Sequence, residues 1–127
     1  MKGILARLLP AITLLPLSIF LLAESVLAET LKTKSFNVTI TRNCLEESVT
    51  CNNVTYIGRD LNTGKSIRLK GRTMHRMCAD RITPCRFLGY EFRNKNYRYL
   101  VTAEGTLQVY QGTKLLVNEE GTWDSQD

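Results

Sequence analysis

The fold is decided by residues 87–118, which read FLGYEFRNKNYRYLVTAEGTLQVYQGTKLLVN. Aromatic and β-branched side chains, which suit a pleated sheet, are frequent in four short segments of this stretch. These segments are residues 87–92, 97–102, 106–110 and 114–118. The connections between them are short enough to join antiparallel neighbours. The stretch therefore predicts four consecutive strands of an antiparallel meander.

Three more strands are predicted upstream of this stretch. Residues 36–40 alternate apolar and polar side chains, which places the apolar ones on one face of an extended segment. Residues 54–57 and 66–70 are the other two candidates. Residues 61–65 between them read as a hairpin turn in which Gly64 supplies a positive φ. We therefore expect a mainly β domain, an antiparallel meander of about seven strands.

The architecture follows from the single apolar face of these strands. A flat sheet would expose that face, so the short strands must curl into a small open barrel or stack as a sandwich. Residues 71–80 depart from the strand pattern, because Met74, Met77 and Cys78 lie at helical spacing and Pro84 would end a helix before it. We expect one short helix near residues 71–80, or an ordered loop tied by cysteine.

Residues 1–28 have the layout of a secretory signal peptide. Two basic residues precede an uncharged apolar stretch, residues 8–23, which is shorter than the roughly 20 apolar residues of a membrane-spanning helix. The sequence Val-Leu-Ala at residues 26–28 then offers the short side chains that a signal peptidase requires. Cleavage after residue 28 would leave residues 29–127 as a single β domain, periplasmic or secreted, with no transmembrane segment.

Four cysteines form two pairs with the same spacing: Cys44, Cys51, Cys78 and Cys85. An even number of cysteines in an exported chain predicts two disulfides. Loop entropy favours the long-range pairings, since a Cys44–Cys85 loop is worth about 4 kcal/mol and a local loop about 2.5 kcal/mol. Neighbouring cysteines meet most often during oxidation, however, and both local loops contain turn-forming residues. The expected pairs are therefore Cys44–Cys51 and Cys78–Cys85.

The charges are distributed unevenly along the chain. The predicted signal peptide takes Lys2, Arg7 and Glu24 from 17 basic and 12 acidic residues, which leaves 15 and 11 and a net charge of +4. Residues 59–98 carry 11 basic and three acidic residues, whereas residues 99–127 carry one and five. Six residues of this cationic block are candidates for an anion-binding surface, and the alternative is a solvated face that only aids solubility. They are Arg68, Lys70, Arg72, Arg76, Arg81 and Arg86.

No residue pattern indicates catalysis or a cofactor. The predicted mature domain has a single histidine, His75, and no G-x-S-x-G surrounds a serine. Adjacent glutamates would point to opposite faces of an extended segment, unlike the paired carboxylates of a glycosidase. A zinc site would have to use His75, Cys78, Asp80 and Cys85, but the six-residue gap between these cysteines exceeds the usual two to four. We therefore expect a non-enzymatic domain without a metal or cofactor.

In size and class the chain is similar to the periplasmic inhibitors of C-type lysozyme, which are small exported β domains with disulfides. Those inhibitors insert a Ser-Ala-Ser-Gly-type loop into the lysozyme cleft, and the nearest equivalent here, residues 102–105, reads Thr-Ala-Glu-Gly. Lysozymes are commonly basic, so a partner of net charge +4 would meet them with unfavourable long-range electrostatics. The resemblance is one of architecture and assigns no site residue.

Two functions are compatible with this sequence. The first is a binding domain whose partner is an anionic envelope polymer, a lipid surface or an acidic patch of another exported protein. Nucleic acid is not expected as a partner outside the cytoplasm. The alternative is an inhibitor or immunity-type protein that blocks another secreted or periplasmic protein through its loops, with residues 78–85 as the most rigid candidate.

Overall fold

The computed structural model describes residues 27–125. Eight strands follow one another in this part of the chain: β1 (Leu27–Thr33), β2 (Phe36–Arg42), β3 (Val54–Asp60), β4 (Ser66–Met77), β5 (Pro84–Asn94), β6 (Tyr97–Thr102), β7 (Thr106–Gln111) and β8 (Lys114–Ser125). Each strand pairs antiparallel with the next, and β1 also pairs with β8, so the sheet forms a closed barrel. The predicted β class, meander order and barrel are confirmed. Residues 1–26, most of the predicted signal peptide, lie outside the described residues, and its cleavage stays a prediction.

Strand β1 is the one strand that the sequence pattern does not predict. Its Leu31 side chain packs in the core, but threonine and lysine residues flank it, so the segment gives no periodic signal. The strand forms because its backbone hydrogen-bonds to β2 on one side and to β8 on the other. Its pairs with β8 run from Glu29 to Thr33, so a chain that begins at Glu29 keeps the seam that closes the barrel.

The prediction of a short helix near residues 71–80 is wrong. Most of this segment belongs to β4, which pairs with β5 along its length. The register shifts between Met74 and His75 and again between Arg76 and Met77. Such bulges interrupt the alternation of side chains, and the apolar residues three apart then imitate helical spacing. Within residues 27–125 there is no helix that could span a membrane.

The core lies inside the barrel, where alternate side chains of all eight strands meet. At its centre the ring of Tyr56 packs against the rings of Phe92 and Tyr99, with centroid separations of 5.1 and 5.4 Å.

The two ends of the barrel differ in their connections. The hairpin end holds the tight turns that follow β1, β3, β5 and β7, and the cysteine end holds the loops that follow β2, β4 and β6.

Both predicted disulfides, Cys44–Cys51 and Cys78–Cys85, are confirmed. They close the two long loops of the cysteine end. Cys51 is 1% exposed and belongs to the core, and its backbone N–H donates to the Thr73 hydroxyl of β4 at 2.9 Å. Cys85 is exposed, so the second disulfide ties a surface loop. Two disulfides in so small a barrel fit an oxidising compartment outside the cytoplasm.

The predicted hairpin turn between β3 and β4 is also confirmed and provides a test. Gly64 has a φ of 77°, and its N–H donates to the Asp60 carbonyl at 2.7 Å. Among residues 27–125 no atom obstructs a Cβ at this position, so only the backbone conformation opposes a side chain. We expect Gly64→Ala to lower the free energy of unfolding by about 1 kcal/mol and Gly64→Asn to cost less, because asparagine tolerates the left-handed region. Urea unfolding would measure both; equal losses would contradict this account.

Candidate anion-binding face

Three of the six predicted binding residues share the outer surface of β4. Arg68, Lys70 and Arg72 are exposed. Leu69, which lies between the first two, and Thr73, which follows Arg72, are buried in the barrel. This arrangement follows from the two-residue period of a strand. The Lys70 ammonium is held in place, since it donates to Asn53 Oδ1 at 3.3 Å and to Thr55 Oγ1 at 3.2 Å.

The other three predicted residues lie elsewhere, at the cysteine end. Arg76 and Arg86 face each other across β4 and β5, beyond the first bulge. Arg86 approaches Glu104 at 3.9 Å, with both side chains exposed. Arg81 lies in the loop closed by the second disulfide, at a φ of 62°. The six residues therefore form two groups and not one surface.

A buried carboxylate organises the first group. Glu91 of β5 is opposite Arg72 in the sheet and is only 4% exposed. Its Oε1 accepts from Arg72 Nη2 at 3.0 Å, and its Oε2 accepts from Arg98 Nε at 2.6 Å and from Arg93 Nη2 at 3.4 Å. The three guanidinium groups cover Glu91 and themselves stay largely exposed to solvent.

Arg93 and Arg98 are binding candidates that the sequence reasoning missed. They are register partners on β5 and β6, and four residues lie between them in the hairpin. The signal was available, because a tight turn at residues 95–96 places Arg93 opposite Arg98. The sequence did not show that these two arginines would share Glu91 with Arg72, which lies on β4, 19 residues before Glu91. We call Arg68, Lys70, Arg72, Arg93 and Arg98 the basic face.

The electrostatics of the basic face leave an excess of positive charge. Burial acts to raise the pKa of the Glu91 carboxyl, but the hydrogen bonds from Arg98 and Arg72 and the charges of Arg98 and Arg93 outweigh it, so the pKa lies below its usual value. Glu91 is therefore ionised at neutral pH. One negative charge then faces five positive charges, and four of the latter are not neutralised within the face.

A shallow depression of about 360 Å³ lies in the middle of the basic face. Lys70, Arg72, Glu91 and Arg93 line it together with Asn52 and Gly71. A Cβ at Gly71 would overlap the Glu91 carbonyl and the Phe92 ring, so this glycine allows β4 and β5 to approach closely beneath the depression. Guanidinium and ammonium groups thus surround a concave surface that is open to solvent.

His75 and the cysteines are the other residues that the sequence raises for catalysis or metal binding. The His75 ring packs against Phe87 at a centroid distance of 5.5 Å, and both ring nitrogens are buried with no hydrogen-bond partner among residues 27–125. Cys78 and Cys85, which the zinc alternative would need as thiolates, are joined in a disulfide. In the same residues no group of three histidine, cysteine or acidic side chains could hold a metal ion.

Comparison of the chain with protein-family models, with curated proteins and with solved structures finds no match. The geometry of the barrel itself must therefore support any functional proposal.

Proposed function

We propose that this protein is a non-enzymatic binding domain, periplasmic or secreted, that uses the basic face to bind an anionic partner. The observation that carries the proposal is the buried Glu91, which fixes three guanidinium groups beside one another on the outside of the barrel. Arginines held in this way lose little conformational freedom when they bind, so the cost of ordering them is already met in the free protein.

The shape of the basic face favours a partner with many anionic groups. Side chains two residues apart on a strand are separated by roughly 7 Å, and neighbouring strands by about 5 Å. The five cations therefore form an extended array and not a closed pocket for one small anion. Repeated phosphate or carboxylate groups of an envelope polymer or a lipid surface match such an array.

Neutralisation of the acidic C-terminal part of the chain is the competing explanation for the cationic block. Among residues 27–125, one ion pair joins residues 59–98 to residues 99–125, the exposed Arg86–Glu104 pair at 3.9 Å. Exposed pairs of this kind contribute little to stability. Within the described residues, the cations of the basic face either surround Glu91 or have no acidic partner, which supports a role toward another molecule.

Charge reversal at Arg68 and Lys70 tests the proposal. Neither residue pairs with Glu91, so Arg68→Glu with Lys70→Glu should leave the melting temperature nearly unchanged. We expect these two changes to weaken binding to vesicles of phosphatidylglycerol and phosphatidylcholine, or to an anionic polysaccharide, by about 30-fold, at about 1 kcal/mol for each cation removed. Cosedimentation at low and high salt would measure the loss.

The matched control is Lys34→Glu with Lys114→Glu, which changes net charge equally at the hairpin end, in the turn after β1 and at the start of β8. This control should keep most of the binding. An equal loss in the two variants would show that only net charge matters, and the basic face would then have no specific role. Reversal of Arg72 is unsuitable here, because it would also remove a partner of Glu91.

A second candidate function, inhibition of another exported protein, is favoured by the loop of residues 78–85. Asp80 Oδ1 accepts from the N–H groups of Ile82 and Thr83 at 2.9 and 2.8 Å, and the disulfide closes the loop. Ile82, at its tip, is 81% exposed. A rigid loop with an exposed apolar tip suits insertion into a protein cleft. Capture of one exported protein in a salt-resistant, stoichiometric complex that Ile82→Glu abolishes would support this candidate over the first.

A further inference from the structure

A cavity of about 320 Å³ opens inside the barrel at the hairpin end. Apolar and aromatic side chains from six strands form most of its wall, and a few polar residues stand among them. The wall includes Tyr56, Asp60, Lys65, Ser66, Tyr99 and Val117. The basic face lies on the outside of the barrel and shares none of these residues, so the cavity is a separate feature.

The Tyr56 side chain lies along its own strand at the cavity wall. Its ring crosses over Gly58, where a Cβ would come within 2.6 Å of the phenol oxygen. Tyr56 is buried and packs against Phe92 and Tyr99, so a layer of aromatic rings closes the cavity toward the core. An eight-stranded barrel has an interior that can be filled by side chains or can hold one small ligand. In this barrel, side chains fill the part of the interior toward the cysteine end, and the part at the hairpin end is open.

The polar groups of the wall are suited to a neutral ligand. Burial and the neighbouring Tyr99 raise the pKa of the Tyr56 phenol, and burial and Tyr97 raise that of Tyr99. Both phenols therefore stay protonated and can donate a hydrogen bond. Asp60 and Lys65 carry opposite charges at the cavity wall, and Asp60 Oδ1 already accepts from the N–H groups of Asn62 and Thr63 at 2.8 and 3.3 Å.

We propose that this cavity binds a small, uncharged, mostly apolar molecule that carries one hydrogen-bonding oxygen. A dry apolar cavity of about 150 Å³ holds benzene, so 320 Å³ is suited to a molecule with about two fused rings. The mostly apolar wall opposes an ionised ligand, because the opposite charges of Asp60 and Lys65 offset each other and leave no net charge to compensate a desolvated ion. The phenols of Tyr56 and Tyr99 select for an oxygen on the ligand.

The test uses 2-naphthol as the probe and isothermal titration with the oxidised protein. We expect binding with a Kd below about 1 mM and at least tenfold weaker binding of ionised 2-naphthoate, which has a similar ring system. Tyr99→Phe keeps the ring and should weaken 2-naphthol binding about fivefold, the usual effect of one lost hydrogen bond. Failure of the folded wild-type protein to bind 2-naphthol, or equal binding of the naphthoate, would overturn the proposal.

Two variants that occupy the cavity complete the test. Val117→Phe fills it from β8, and Ser66→Trp covers it from an exposed position that disturbs no core contact. Each should weaken 2-naphthol binding at least tenfold. Leu115→Phe, an exposed change on β8 outside the cavity wall, should leave the binding unchanged. If Val117→Phe does not fold, Ser66→Trp decides. Equal binding by Ser66→Trp and Leu115→Phe would show that 2-naphthol binds outside the cavity.

Discussion

Replacement of Cys44 and Cys51 by alanine should lower the free energy of unfolding by about 3–4 kcal/mol. The loss of a loop closure of about eight residues accounts for about 2.5 kcal/mol. The rest comes from the core, because Cys51 is fully buried beside Val54 and Cys44 packs against the same cluster. Thr73 also bonds to both backbone groups of Cys51, so the loop helps to hold β4 in the barrel.

The matched control is replacement of Cys78 and Cys85, whose loop has the same length. This second pair should cost only about 2–2.5 kcal/mol, since its loop contributes chain entropy and little core packing. Denaturant unfolding of both variants under non-reducing conditions would compare them. Equal losses would mean that the first disulfide acts through chain entropy alone, and a larger loss for the second pair would contradict its position at the surface.

Replacement of Glu91 by glutamine should lower the free energy of unfolding at pH 7 by about 2 kcal/mol. The buried amide would leave three guanidinium groups without their shared anion. Removing one partner of a fully buried ion pair costs about 3–5 kcal/mol, and the exposure of these arginines to solvent reduces the effect. Glu120→Gln, an exposed change on β8, is the control and should have little effect.

The same substitution should remove part of the acid sensitivity of the wild-type protein. The pKa of Glu91 is lowered in the folded state, so its contribution to stability is present above the unfolded value near 4.5 and is lost as the pH falls through the lower folded value. Melting temperatures of wild type and Glu91→Gln should therefore differ at pH 7 and converge as the pH is lowered below 4.5. A constant difference across this range would show that ion pairing does not explain the loss.

Much of the fold could be predicted from the sequence because its signals are local. Residues 36–40 and 66–70 alternate apolar and polar side chains, and Gly64 marks a turn that needs positive φ. The two disulfides join cysteines that are neighbours in the chain. Each of these features depends on residues within about ten positions of one another, so strand, turn and pairing could be inferred without knowledge of the whole.

Other features were decided only by the tertiary structure. Strand β1 is held by pairing with both ends of the meander, and β4 continues through two bulges because β5 pairs beside it. The pairing of β4 and β6 on the two sides of β5 places Arg72 and Arg98 on the same carboxylate, and the closed barrel leaves a cavity next to Tyr56. These contacts join residues on different strands, and their geometry depends on register and closure. A local pattern specifies the face of a strand on which a side chain lies, whereas only the closed barrel determines which side chains meet.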